Sequence, residues 1–183
     1  MGRVNDKKLA EKFQEISGYE DYYQAYGAPL VIEAIGNLDK TVDDIKSYQK
    51  RVRDLNLEFD APSLEQIVID LSSCIYYTTD KLEKLQLMAD ISKMSYKNTY
   101  NNAYITKQGN HDAGTKYSVQ QLQAYSENEA LEDNIINFIY SRAAKEVENK
   151  LDAARELLKA TSKSLSGVIA SMQTYQYGSK YSM

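Results

Sequence analysis

The sequence predicts an all-α protein: a long antiparallel helical hairpin of coiled-coil type with a small N-terminal domain of short helices. Three observations carry this reading. Ala144, Val147, Leu151, Ala154, Leu158, Thr161, Leu165, Val168, Met172 and Tyr175 are spaced alternately by three and four residues with no intervening Pro, the seam of a helix that lies along another helix. A second stripe, Leu64, Ile67, Leu71, Ile75, Thr78, Leu82, Leu85 and Ala89, precedes it at helical spacing. Two prolines and eight glycines in 183 residues are too few for a loop-rich or all-β chain.

Taken in order, Asn5 to Ile16 reads as a short amphipathic helix with Leu9, Phe13 and Ile16 on one face, ended by Gly18. Tyr19 to Tyr26 reads as a second piece, stopped by Gly27-Ala28-Pro29. The cluster Leu30, Val31, Ile32, Ala34 and Ile35 suits a buried helical turn or two, or a lone strand; no partner strand exists, so helix is preferred. Asp39 to Asn56 is helical, with Val42, Ile45, Tyr48, Val52 and Leu55 on one face.

Leu57 to Pro62 is the clearest break, and the domain boundary is placed there: 1–61 a short-helix cap or docking domain, 62–178 the hairpin with its loop near 106–117, and 179–183 a tail. Ser63-Leu64-Glu65-Gln66 has the form of a capping box. The helix it starts has no breaker before Gly109, about 43 residues or roughly 65 Å at 1.5 Å per residue. Ser118-Val119-Gln120-Gln121 repeats the signal and opens a helix expected to reach Tyr175, with a slip of register before Ala144 that reads as a stutter. A lone hairpin has exposed seams, so a homo-oligomer is expected, with Val147, Leu151, Leu158, Leu165, Val168, Met172 and Tyr175 at the interface.

Chemistry is sparsely represented. His111 is the single histidine and Cys74 the single cysteine, which reads as a small buried hydrophobe within an apolar helical pattern. No phosphate-binding glycine loop, Gly-x-Ser-x-Gly or Glu-x-x-His motif occurs. The chain is therefore read as a non-enzyme without catalytic residues, metal or cofactor. A secretory signal and an apolar run of bilayer length are both missing, so a soluble cytoplasmic protein without membrane contact is expected.

Formal net charge is −4, which excludes a globally cationic nucleic-acid binder. Between Ile91 and Ser118, however, Lys93, Lys97, Lys107 and Lys116 stand against Asp112 alone, a local charge of +3. Tyr96, Tyr100, Tyr104 and Tyr117 are interleaved with them, in a chain with sixteen tyrosines and no tryptophan. Cations beside aromatic faces neutralise phosphates and stack bases without regard to sequence. The same residues also suit a solvated face whose lysines favour the helix C-terminus, with the tyrosines packed on a neighbouring helix.

From about Leu82 to Gly178 the chain resembles the recombination mediators of the UvsY type found in tailed phages. The residues concerned are the Lys/Tyr-rich run Lys93-Met94-Ser95-Tyr96-Lys97-Asn98-Thr99-Tyr100-Asn101-Asn102-Ala103-Tyr104, the glycine-containing loop Thr106-Lys107-Gln108-Gly109, and a long helix finishing in Tyr177-Gly178. The resemblance implies an oligomeric, non-catalytic accessory protein that binds single-stranded DNA and helps load a recombinase in the presence of a single-strand-binding protein. It assigns DNA contact to Lys93 and Lys97. With the residue pattern, it makes Lys93, Tyr96, Lys97, Tyr100, Tyr104, Lys107 and Lys116 the nucleic-acid-binding set. The rival class is a helical virion or assembly component in which the tyrosines anchor interfaces; a protein-binding inhibitor or adaptor is a third.

Overall fold

The computed structural model describes residues 18–112 and 117–180, with side chains through 109 and from 117 to 174. Among these residues the protein is all-α. Residues 18–22 are helical and run through a π-helical turn, Tyr23–Gly27, into α1, Ala28–Asp54. Then follow α2, Ala61–Asp112, α3, Val119–Glu129, and α4, Leu131–Lys180. The 52-residue α2 and 50-residue α4 pack against each other as the hairpin arms.

Local chemistry explains each terminus. Gly27-Ala28-Pro29 does not stop the helix as expected. The Ala28 N–H reaches back five residues to the Tyr23 carbonyl, a π turn that takes up one extra residue, and Pro29, which has no N–H to give, follows directly on this widened turn. Gly27 is required here: a Cβ at this position would run into the Tyr23 ring at Cδ2. The cluster Leu30 to Ile35 and Gly36 are therefore interior to one continuous 27-residue helix, not separate short pieces. Asn56 ends that run at φ 49°, in the left-handed region that asparagine tolerates, and the Leu57 N–H bonds the Val52 carbonyl at 2.9 Å.

The start of α2 also differs from expectation. Asp60, not Ser63, caps it: the Ser63 N–H donates to Asp60 Oδ1 at 2.8 Å, which puts Pro62 in the first turn. That bond, with help from the Tyr48 hydroxyl at 3.1 Å, holds the Asp60 carboxyl below its ordinary range. The second capping box forms as written, Gln121 N–H to Ser118 Oγ at 3.2 Å and Ser118 N–H to Gln121 Oε1 at 2.9 Å. The helix it opens is short. Ala130, at φ −93° and ψ 5°, breaks it from α4, so the single helix expected from Ser118 to Tyr175 is two, while the register slip expected before Ala144 falls inside the uninterrupted α4.

The fold comprises two compact units, each made of two chain segments: Met1–Ile32 with Glu83–Glu146, and Glu33–Leu82 with Val147–Met183. The break at 61–62, expected as a domain boundary, lies inside the second unit as the turn between α1 and α2.

In the first unit, Tyr23, Val31, Leu85, Leu122, Ala130, Ile139, Ala143 and Ala144 are buried. Tyr23 is its polar centre. Its hydroxyl donates to Glu146 Oε2, and the Arg142 guanidinium lies 4.5 Å from its ring centroid while pairing with Glu20 at 2.7 Å. Burial first, then the Glu146 carboxylate, push the Tyr23 phenol up to about 12. Phe138 meets Tyr19 edge-on at 5.2 Å.

In the second unit, Ile35, Leu38, Ile45, Val52, Leu64, Leu71, Thr78, Leu82, Val147, Leu151, Ala154 and Thr161 are buried. Lys150 bridges both oxygens of Asp39 at 3.2 and 3.3 Å. Cys74 is only partly buried, with Thr41 Oγ1 at 3.3 Å from its sulfur, and so is less enclosed than its apolar neighbourhood in sequence suggests.

Candidate nucleic-acid interface

The Lys/Tyr segment lies in the C-terminal half of α2, within the first unit. Residues four apart share a helix face but advance about 40° around it, so Tyr96, Tyr100 and Tyr104 form a slowly winding row. Their rings touch in series. Tyr96 and Tyr100 centroids lie 6.2 Å apart at 44°, and Tyr100 and Tyr104 stack at 6.5 Å and 21°. All three rings are half-buried.

Lys93 and Lys97 are exposed, each three residues before a tyrosine of the row and thus beside it on the helix surface. On the other side of the row, Ser95 Oγ and Thr99 Oγ1 donate to the two oxygens of Asp133 at 3.0 and 2.5 Å. That bidentate acceptor clips α2 to the first turns of α4 and sets the rotation of α2. Sequence reading missed it, because nothing in the spacing ties Asp133 to residues 34 and 38 positions earlier.

Lys107 does not join Lys93 and Lys97. Its ammonium lies 4.0 Å from the Tyr125 centroid and 5.3 Å from the Tyr117 centroid, held over two rings at the junction of α2 and α3. The ammonium rests on rings of its own chain, which sets it apart from Lys93 and Lys97. Lys116 and the side chain of His111 fall outside the described residues. The positively charged, solvent-facing part of the expected set is therefore Lys93 and Lys97.

The expected oligomer seam divides as well. Val147 and Leu151 are fully buried by their own chain, so they are core residues of the second unit and unavailable to another subunit. Leu158, Leu165 and Val168 are half-buried, Met172 is exposed, and the Tyr175 side chain falls outside the described residues. A three-four seam marks a face that must be covered, and over its first turns the chain covers it alone.

Among the described residues, no group of three or more His, Cys, Asp or Glu side chains could hold a metal ion, and no helix is long and apolar enough to cross a membrane. Comparison of the chain with protein-family models, with curated proteins and with solved structures returns no match.

Proposed function

We propose that this chain is a non-catalytic accessory protein that binds single-stranded DNA, of the recombination-mediator kind, acting beside a recombinase and a single-strand-binding protein. One observation carries the reading: a row of three touching tyrosine rings with two exposed lysines alongside, on one rigid helix. A stacking surface flanked by cations engages a single strand irrespective of sequence, the rings through the bases and the ammonium groups through the phosphates. The Asp133 clip supports it by fixing the rotation of that face.

The test is fluorescence anisotropy with a labelled oligothymidine at salt concentrations from about 50 to 200 mM. Wild-type affinity falls steeply across that range. Lys93→Ala with Lys97→Ala flattens the log–log slope by about 1.4, two contacts at roughly 0.7 each, and Tyr100→Ala weakens binding with the slope unchanged. No binding by the wild-type chain at the lowest salt overturns the reading.

A second reading, a helical virion or assembly component, is favoured by a separate observation. Leu87, Ile91, Met94 and Ile105 of α2 are 52–65 % exposed, an apolar surface that solvent alone does not explain.

A further inference from the structure

The first unit carries an open groove of about 710 Å³. One wall holds Tyr22, Tyr26 and Leu30, the other Leu131, Ile135 and Ile139 of α4, each set four residues apart. Tyr26 is 63 % exposed and Leu131 44 %, so nothing among the described residues covers the groove. Glu132 is the charged residue of the lining, and the groove therefore holds an occupant mainly through apolar contact.

The two walls run in the same direction. Tyr19 meets Phe138 and accepts from Asn134 Nδ2 at 3.2 Å, and one turn further along Tyr23 reaches Glu146. Gly18 therefore stands at the Leu131 end of the groove, one helical turn before Tyr22. All of the chain that precedes Gly18 starts from this mouth.

Residues 1–17 lie outside the described residues. The amphipathic helix that the sequence predicts at Asn5–Ile16 has Leu9, Phe13 and Ile16 at i, i+4 and i+7, the anchor spacing with which a helix seats in an apolar groove. From Leu9 to Ile16 such a helix spans roughly 10.5 Å, and from Leu131 to Ile139 the groove wall runs roughly 12 Å. A chain turning back at Ser17 enters at the Leu131 end and runs antiparallel to both walls, as in a helical hairpin with a short loop. So short a tether holds the segment at a local concentration of roughly millimolar or above, against which a helix from any other molecule has to compete.

We infer that residues 5–16 of the same chain occupy this groove, with Ile16 beside Leu131 and Leu9 beside Ile139, and close it to other helices. The contact requires neither nucleic acid nor a second copy and stands independently of the function proposed above.

Amide exchange and cysteine cross-linking on the full-length chain test it. In the wild type, the amides of residues 5–16 exchange about tenfold or more slowly than in the same segment as a free peptide. Tyr26→Glu, which puts a charge into the exposed wall, and Phe13→Glu, which spoils the central anchor, each abolish that protection, with circular dichroism checking that the long helices are kept. In a Cys74→Ser background, Lys12→Cys on the flank of the segment and Ile136→Cys in the groove join within one chain on mild oxidation. No protection in the wild type, protection that survives both glutamate variants, or a disulfide that links two chains overturns the inference. In the second case the segment packs elsewhere, and in the third the groove takes the segment of another copy.

Discussion

The Lys107 ammonium sits 4.0 Å above the centre of the Tyr125 ring. This one pairing ties the last turns of α2 to α3 across the connection between them. It also takes Lys107 out of the group of lysines to which sequence proximity assigns it. Lys107→Ala is expected to lower stability by about 1 kcal/mol, the usual worth of a partly desolvated cation–π contact, as read by urea unfolding. The salt slope of oligonucleotide binding stays at its wild-type value, in contrast to the Lys93 and Lys97 variants. An equal loss of slope would place Lys107 on the nucleic acid.

Tyr23 imposes a dependence on alkaline pH. Its phenol titrates at about 12 in the folded chain against an ordinary value of 10.0. The folded state therefore keeps the proton in a range where the unfolded state has released it. The resulting stabilisation is complete below pH 10 and is lost as pH rises from 10 towards 12. Denaturant midpoints measured between those limits fall with pH, and Tyr23→Phe removes this residue's share of the fall.

Gly27→Ala places a methyl group where the Tyr23 ring now lies. Tyr23 is buried and held by Glu146 and Arg142, so it has little room to move. The variant is expected to lose about 1–3 kcal/mol, the range for overpacking, although alanine is the better helix former. A gain in thermal midpoint would show that the ring moves aside freely.

Asp60→Ala removes the cap of α2 and leaves the Ser63 N–H to water. Because the native carboxyl titrates below the ordinary value of 3.8, its contribution is present above pH 3.8 and disappears as pH falls through the depressed value. Wild type and variant differ in midpoint at neutral pH and converge in acid. Amide exchange in the first turn of α2 locates the effect.

Two residues of one seam should respond oppositely. Leu151→Ala opens a cavity in the second unit and is expected to cost about 2–5 kcal/mol. Met172, 48 % exposed on the same helix, changes monomer stability by about 0.5 kcal/mol or less when truncated to alanine. Chemical denaturation at low protein concentration separates them.

The helical class, the hairpin arms and the capping box at Ser118 were legible because they depend on local chemistry: apolar spacing, missing breakers, and a hydroxyl and an amide three residues apart. The touching row of Tyr96, Tyr100 and Tyr104 follows from the same spacing rules. What sequence could not assign was the destination of each apolar or charged side chain. Val147 and Met172 occupy equivalent places in one pattern, yet the first is enclosed by its own chain and the second is not. Helix α2 carries apolar residues on opposite sides, so a stripe cannot say by itself which side the chain covers. Asp60 outcompetes Ser63 as a cap because a carboxylate is the stronger acceptor. The π turn, the Asp133 clip and the Lys107 pairing depend on neighbours brought together only by folding.

The five-residue turn at Tyr23–Gly27 also acts as a phase shifter. By absorbing one surplus residue it rotates what precedes it by about 100° relative to a regular helix, which decides that Tyr22 shares a wall with Tyr26 and Leu30 while Tyr23 points inward. Excising a single residue there would leave helix content almost untouched and swing the upstream aromatics to a different side, so a one-codon deletion at this point should be far more damaging than the same deletion in the turn after Asn56.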